Sequence, residues 1–438
     1  MILIAGGRMI DPKTGVDAPR DLVIEGGRIK SIRPCPPERA GDAGTALNAG
    51  ESRGYEGIID ARGKVLVPGF IDLHVHFRDP GFTYKEDILS GSAAAAAGGF
   101  TTVVCMANTR PVMDNPETLA AFQERAALSP VRVYTVAALS RGLAGAELTD
   151  MGELKKLGAV GFSDDGVPRE DPAFLRKALL AARDLDLPVS LHEEEPGLMG
   201  VPGIHDGKAA AALGLTGSPG VSESALVARD CMIALDTGSR VHFQHLSAAA
   251  SAAVIGLAKK MGARVSAELT PHHFSLTEEA VLSRGSLAKV NPPLRTGADR
   301  EALIAALREG VIDLIATDHA PHSDEEKARP FREAPSGLIG LETALALGIT
   351  NLVGPGHLSL PELIGKMTWA PAAVYGLGGG FLAEGGPADI TIFDDREEWT
   401  PGSFRSKSSN SPFTGQSLRG KIKYTICGGK IVYQDGEA

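Results

Sequence analysis

Cysteine is scarce: Cys35, Cys105, Cys231 and Cys427 are scattered over 438 residues. No two form a C-x-x-C pair, which excludes thiolate zinc sites and dithiol redox motifs. So sparse a set fits a reducing compartment, and the expected location is the cytoplasm. Positive charge is also in deficit. The 44 Lys and Arg face 54 Asp and Glu, giving a formal net charge of −10. Nucleic acid and anionic membranes both need a basic footprint, so neither is an expected partner. Long apolar runs are missing. The stretch 92–107 is rich in Ala and Gly and falls short of the ~20 strongly apolar residues of a membrane span. The opening MILIAGGRMIDPKTG has no basic segment followed by an apolar one, so no signal peptide is expected. A Gly-rich phosphate loop is absent too, which argues against an open nucleotide-binding sheet.

Glycine and proline are plentiful, at 53 and 28 residues. That usage is loop-rich but below the range of disordered chains. The two ends of the chain resemble each other. Residues 2–33 and 388–435 hold β-type runs broken by glycine pairs, as in MILIAGG, DLVIEGGRIKSI and KIKYTICGGKIVYQDG. A glycine pair between alternating apolar runs is a hairpin signal. Neither end can bury a good core alone, so the expectation is one composite β domain, residues 1–64 plus 386–438. The Gly/Ala/Glu-rich stretch between Cys35 and Gly57 reads as a surface loop.

The middle, 65–385, alternates strand-like and helix-like periods. The apolar runs are 65–76, 101–107, 131–137, 159–163, 188–192, 240–245, 264–269 and 312–318. Helical patterns fall between them, for example Pro172–Asp184, Ser222–Asp236, Ala298–Glu309 and Leu338–Ile349. Eight such alternations indicate a parallel sheet with crossover helices closed into a barrel. The expected fold is α/β: a (β/α)8 TIM-like barrel with a small β-sandwich domain formed from both termini.

Barrel enzymes carry their chemistry at the C-terminal ends of strands. The first run ends in His74-Val75-His76, the fourth in Asp164-Asp165, the fifth in His192, the sixth in His245 and the eighth in Asp318. Residues i and i+2 of a strand share a face, so both imidazoles of His74 and His76 enter the barrel mouth. His242 and His245 differ by three and should face opposite sides. His245 is preferred at the strand end, with His242 packed between sheet and helices. One of Asp164 and Asp165 is expected to turn inward, and spacing does not say which. His272 and His273 end the seventh unit and stay unassigned. Four imidazoles and two carboxylates exceed one tetrahedral zinc. They suit two divalent ions sharing a carboxylate and a hydroxide, with Asp318 taking the proton.

These residues resemble the amidohydrolase superfamily. More narrowly, PGFIDLHVHFRDPG (68–81), GGFTTVVCMANT (98–109), FSDDG (162–166), VNPPLR (290–295) and ATDHAPH (316–322) are similar to bacterial class I dihydroorotases. The resemblance implies reversible interconversion of N-carbamoyl-L-aspartate and L-dihydroorotate in pyrimidine biosynthesis. It implies two zinc ions per chain, one on His74, His76 and Asp318 and one on His192 and His245, with Asp165 bridging. It implies Asp318 as the catalytic general base and acid. Arg78, Asn108 and Asn291 would hold the substrate carboxylate, and His322 with Ser336 and Gly337 would contact the ring. The chain reads Met106-Ala107-Asn108-Thr109 where relatives often read M-P-N-T, and it keeps the asparagine. An aspartate transcarbamoylase complex and a homo-oligomer stay open. Hydantoinases and allantoinases form one rival class. They usually bridge their metals with a carboxylated lysine, and no lysine lies between Ala159 and Val167 here. A non-catalytic scaffold for the transcarbamoylase is the other.

Overall fold

The computed structural model describes residues 1–36 and 54–436. Eight short strands follow one another around a ring: Phe70–Val75, Phe100–Cys105, Arg132–Thr135, Phe162–Ser163, Val189–Leu191, Val241–Phe243, Val265–Leu269 and Leu314–Ile315. The first three pair in parallel, and so do the last five. Parallel bridges Ala137↔Phe162 and Val75↔His319 join the two sets at both seams. The barrel is therefore closed, as the alternation of periods predicted. Its strands are nearly all buried because both faces are covered, the inner by the facing strands and the outer by helices. Pro172–Asp184 shows the helical side of the bargain. The Asp171 side chain accepts from Ala173 N, proline opens the helix, and Phe174, Leu175, Ala178, Leu179 and Ala182 are buried. That spacing is one helical face, and each large apolar side chain on it contributes roughly 1.5–3 kcal/mol over exposure.

Both termini build one eight-stranded sheet. Its order runs from Lys430–Gln434 through Leu418–Cys427, Ile390–Trp399, Val65–Pro68, Ile2–Asp11 and Val16–Glu25 to Arg28–Pro34, with Gly57–Asp60 also on Ile2–Asp11. Ile4, Met9, Leu22, Ile24, Leu66, Ile390, Ile392 and Ile426 form its core. The run 65–76 thus divides at Gly69. Val65–Pro68 pairs with Ile2–Asp11 and Ile390–Trp399, while Phe70–Val75 starts the barrel.

The glycine pairs also divide. Gly26-Gly27 and Gly428-Gly429 all have positive φ, between 55° and 80°, and connect Glu25 to Arg28 and Cys427 to Lys430. Two successive positive φ values are what a two-residue hairpin turn needs. Gly6-Gly7 instead lies inside a strand, where the register shifts between Ile4 and Gly7. It is a bulge, and Gly6 N donates to Asp21 Oδ1 at 2.9 Å. The expected helix over Leu338–Ile349 starts later. Leu338 bridges to His319 and Ile339 N donates to Asn410 O, so the helical path begins at Leu341. Most of the stretch read as a surface loop, residues 37–53, lies outside the described residues. Among those described, no helix is long and apolar enough to cross a membrane.

Candidate active site

The barrel strands end just before the expected site residues. His74 is within the first strand, and His76, Asp165, His192, His245 and Asp318 follow strand ends by one to three residues. There the backbone bends. Among the described residues, five non-glycine residues have positive φ: Arg78 (58°), Leu143 (58°), Asp186 (50°), His245 (30°) and Asp318 (48°). Three of these are predicted site residues. Such conformations cost on the order of 1–3 kcal/mol and persist where the surroundings enforce them. The bend corrects the reading of His242. The strand stops at Phe243, so alternation no longer links His242 to His245, and both face inward. His242 Nε2 lies 2.9 Å from Glu268 Oε2, inside the barrel rather than between sheet and helices.

Six side chains converge. His76 Nε2 and His74 Nε2 lie 3.1 and 3.5 Å from Asp318 Oδ1. Asp165 reaches all four imidazoles: Oδ1 is 3.5 Å from His74, 3.8 Å from His192 and 4.0 Å from His245, and Oδ2 is 3.5 Å from His76. His192 Nδ1 and His245 Nε2 are 2.9 Å apart. Asp164 turns the other way. Its carboxylate accepts from Leu139 N, Ser140 N and Ser140 Oγ and pairs with Arg169. It shapes the neighbouring loop, and Asp165 alone of the two enters the mouth.

The donor set fits a divalent transition ion. His74, His76 and Asp318 form one group able to hold a cation, and His74, Asp165 and His245 another. Asp165 Oδ1 is buried without a hydrogen-bond partner. Tetrahedral zinc with ~2.0–2.1 Å bonds to N and O spaces its ligand atoms roughly 3.3 Å apart, close to the contacts above. Each imidazole save His245 also has an outer partner on one ring nitrogen and turns the other inward. His74 Nδ1 lies 2.6 Å from Glu268 Oε1. His76 Nδ1 meets Asn108 Oδ1 at 3.0 Å, and His192 Nε2 meets Glu194 Oε2 at 3.1 Å. Such partners fix tautomer and ring orientation in metal sites.

Electrostatics agree. Burial disfavours charge on Asp165 and Asp318, yet the surrounding imidazoles overcome it. Asp165 is held well below the usual carboxylate range, and Asp318 at about 2. Burial, helped by His192 and His74, pushes His245 down to about 3, so its ring is in the neutral, metal-binding form.

Glu268 was missed by the sequence reading. It is fully buried and joins His74, His242 and the His245 backbone N–H. Its signal was an acid inside the apolar strand VSAEL, where a buried carboxylate must be paired. Glu268→Gln should lower metal affinity about 10–100-fold, read by competition against a chromogenic chelator. Unchanged affinity would reduce Glu268 to a space filler.

The expected substrate residues ring the same mouth. Arg78 is half-buried, with Nε on Pro321 O at 3.2 Å and Nη2 3.3 Å from His322 Nε2. Asn108 is engaged within the cluster, its Nδ2 donating to Asp165 Oδ2 at 3.0 Å. Ser336 Oγ donates to Asn291 Oδ1 at 3.1 Å. Gly337 has φ +129°, and a Cβ there would lie 3.2 Å from the His322 ring and 2.7 Å from Ala320 Cβ, so only glycine passes this close. Two buried lysines hold the segment before it. Lys289 Nζ donates to Phe331 O and Ala334 O, and Lys327 Nζ to Pro335 O and Gly337 O. His273 braces the Asn291 loop through Pro292 O at 3.1 Å.

A closed parallel barrel with a buried His/Asp cluster at its C-terminal mouth, flanked by a β domain from both termini, defines a hydrolase of the amidohydrolase class. Solved structures share that architecture. An L-hydantoinase (dihydropyrimidinase) from Arthrobacter aurescens superposes with a TM-score of 0.85 at 24% identity, covering 100% of this chain and 97% of that one. A D-hydantoinase from Bacillus sp. AR9 gives 0.83 at 25%, covering 100% and 96%. The family described as Dihydro-orotase-like matches residues 63–251. The dihydroorotase of Clostridioides difficile (strain 630) is 53% identical over 433 residues, 99% of this chain and 100% of that protein. That of Lactococcus lactis subsp. lactis (strain IL1403) is 49% identical, covering 99% of each. The chain belongs to the dihydroorotase family.

Proposed function

We propose that the protein is a dihydroorotase, interconverting N-carbamoyl-L-aspartate and L-dihydroorotate for pyrimidine biosynthesis, with two zinc ions per chain. The observation that carries this reading is the position of Asp165, within 4.0 Å of a ring nitrogen of all four imidazoles. His74, His76 and Asp318 would hold one ion, His192 and His245 the other, and Asp165 both. Bound there, the ions supply Lewis acidity and water that ionises near neutral pH.

The chain's own residues do the rest. Dihydroorotate is a cyclic amide bearing a carboxylate. Arg78 presents a planar fork of donors that grips a carboxylate in one orientation. Asn291 and Asn108 add amide donors and acceptors at the same rim. His322, Ser336 and the close-packed Gly337 line the ring side. Asp318 takes the proton released as water attacks the amide carbonyl, then delivers it to the leaving ring nitrogen. Ring closure uses the same groups in reverse order. The chain carries GFSDDG where a carboxylated lysine serves the hydantoinase class, and the arginine favours an anionic substrate over hydantoin.

The test is metal analysis of purified protein, followed by dihydroorotate, hydantoin and allantoin turnover before and after chelation. The expected result is about two zinc ions per chain and dihydroorotate hydrolysis that chelation abolishes and zinc restores. Turnover of hydantoin or allantoin in preference would overturn the substrate. Metal-replete protein that binds aspartate transcarbamoylase and hydrolyses nothing would overturn the enzyme.

A further inference from the structure

One cation at the mouth has no part in the scheme above. Lys85 follows the first barrel strand in the loop Arg78–Glu86 and is buried, 9% exposed. Its ammonium pairs with Glu326 Oε1 at 2.9 Å and lies 3.2 Å from His322 Nδ1. Glu326 is fixed in turn, accepting from Tyr84 Oη at 2.9 Å and Ser323 N at 3.2 Å. On the other side of the ring, His322 Nε2 lies 2.9 Å from Ser336 O and 3.3 Å from Arg78 Nη2. His322 Nδ1 is also 3.4 Å from Glu326 Oε2.

One protonation pattern satisfies the two shortest contacts, to Ser336 O and to Lys85 Nζ. An ammonium has three donors and no acceptor, and a carbonyl only accepts. If Nδ1 is bare, it accepts from Lys85, and Nε2–H donates to Ser336 O. If Nδ1 carries the proton, it points at the Lys85 cation and keeps only the longer contact to Glu326. The Nε2 lone pair then faces the Ser336 carbonyl oxygen at 2.9 Å, acceptor against acceptor, and its only donor among the described residues is Arg78 Nη2 at 3.3 Å. A doubly protonated ring would add a third cation between Lys85 and Arg78. The arrangement therefore selects the neutral Nε2–H form.

We infer that Lys85 is a positioning residue: it holds His322 in the Nε2–H tautomer, so that the ring anchors the Ser336 carbonyl and offers no lone pair to compete with the substrate anion for the Arg78 guanidinium. In the opposite tautomer the Nε2 lone pair would accept from Arg78 Nη2, 3.3 Å away, and take that donor from the anion. The inference rests on reading Arg78 as the group that binds the substrate carboxylate. It adds the group that keeps the guanidinium available for that carboxylate.

The test has two arms on the full, zinc-loaded chain. In protein labelled with 15N-histidine, the His322 signals, assigned by their loss in His322→Asn, should show a pyrrole-type Nε2 and a pyridine-type Nδ1. This arm needs no folded Lys85 variant, and a protonated Nδ1 in the unaltered protein would overturn the inference. The second arm is Lys85→Met, which keeps length and removes the charge. KM for dihydroorotate should rise about tenfold with kcat nearly unchanged, the signature of lost binding rather than lost chemistry. The His322 signals should shift toward a mixture of tautomers, and Lys85→Arg should restore both. Unchanged KM and unchanged signals in Lys85→Met would overturn it. A protein that showed the expected tautomer yet hydrolysed no dihydroorotate would sink the proposed activity and leave the tautomer assignment standing.

Discussion

Asp318→Asn should lower kcat for dihydroorotate hydrolysis about 10²–10⁴-fold, the usual worth of a positioned general acid or base, while metal content stays near that of the unaltered protein. The amide keeps the shape of the carboxylate and an oxygen able to face a cation. It cannot take up and return a proton. Asp318 is well placed for both tasks. Its Oδ1 contacts His76 and His74 at 3.1 and 3.5 Å, and its positive φ of 48° turns it into the mouth. Steady-state turnover beside metal analysis on one preparation decides the matter. Near-normal turnover removes Asp318 as the proton carrier. A parallel loss of metal and activity makes it a ligand only.

Asp165→Ala should act earlier, at metal loading. Among the described residues, the carboxylate is the one group within 4.0 Å of His74, His76, His192 and His245 together. Without it, four imidazoles converge with Asp318 as the sole carboxylate among the five groups left. At least one ion per chain should be lost, with a fall in affinity beyond the ~10–100-fold typical of losing an outer partner. Activity should drop to background and recover little with added zinc. Two tightly held zinc ions per chain in this variant would move the bridge elsewhere. The neighbouring Asp164 offers a useful contrast, because its carboxylate is spent on Leu139 N, Ser140 and Arg169.

Much of this site was legible before any coordinates. His74 and His76 share a strand face by simple alternation, and the repeated ending of apolar runs in His or Asp placed six groups on one rim. The legibility failed wherever the strand ended. His242 was sent outward because alternation was carried through to His245, past the point where the strand stops at Phe243. Gly6-Gly7 looked like a turn because a glycine pair marks both hairpins and bulges. Glu268 stood in plain view in VSAEL, yet its partners His74 and His242 lie 194 and 26 residues away.

The alternation of periods, the eight-fold count and the identity of the metal-capable groups belong to the sequence, because hydrophobic periodicity is a local property that each segment carries alone. Spacing left open which of two adjacent aspartates turns inward, and only the family resemblance pointed to Asp165; which ring nitrogen of each histidine faces the centre and which lysine sets the tautomer of His322 were decided by the closed barrel alone. Those choices depend on hydrogen-bond partners from distant segments, and a buried polar atom takes its direction from whichever partner the fold brings within about 3 Å.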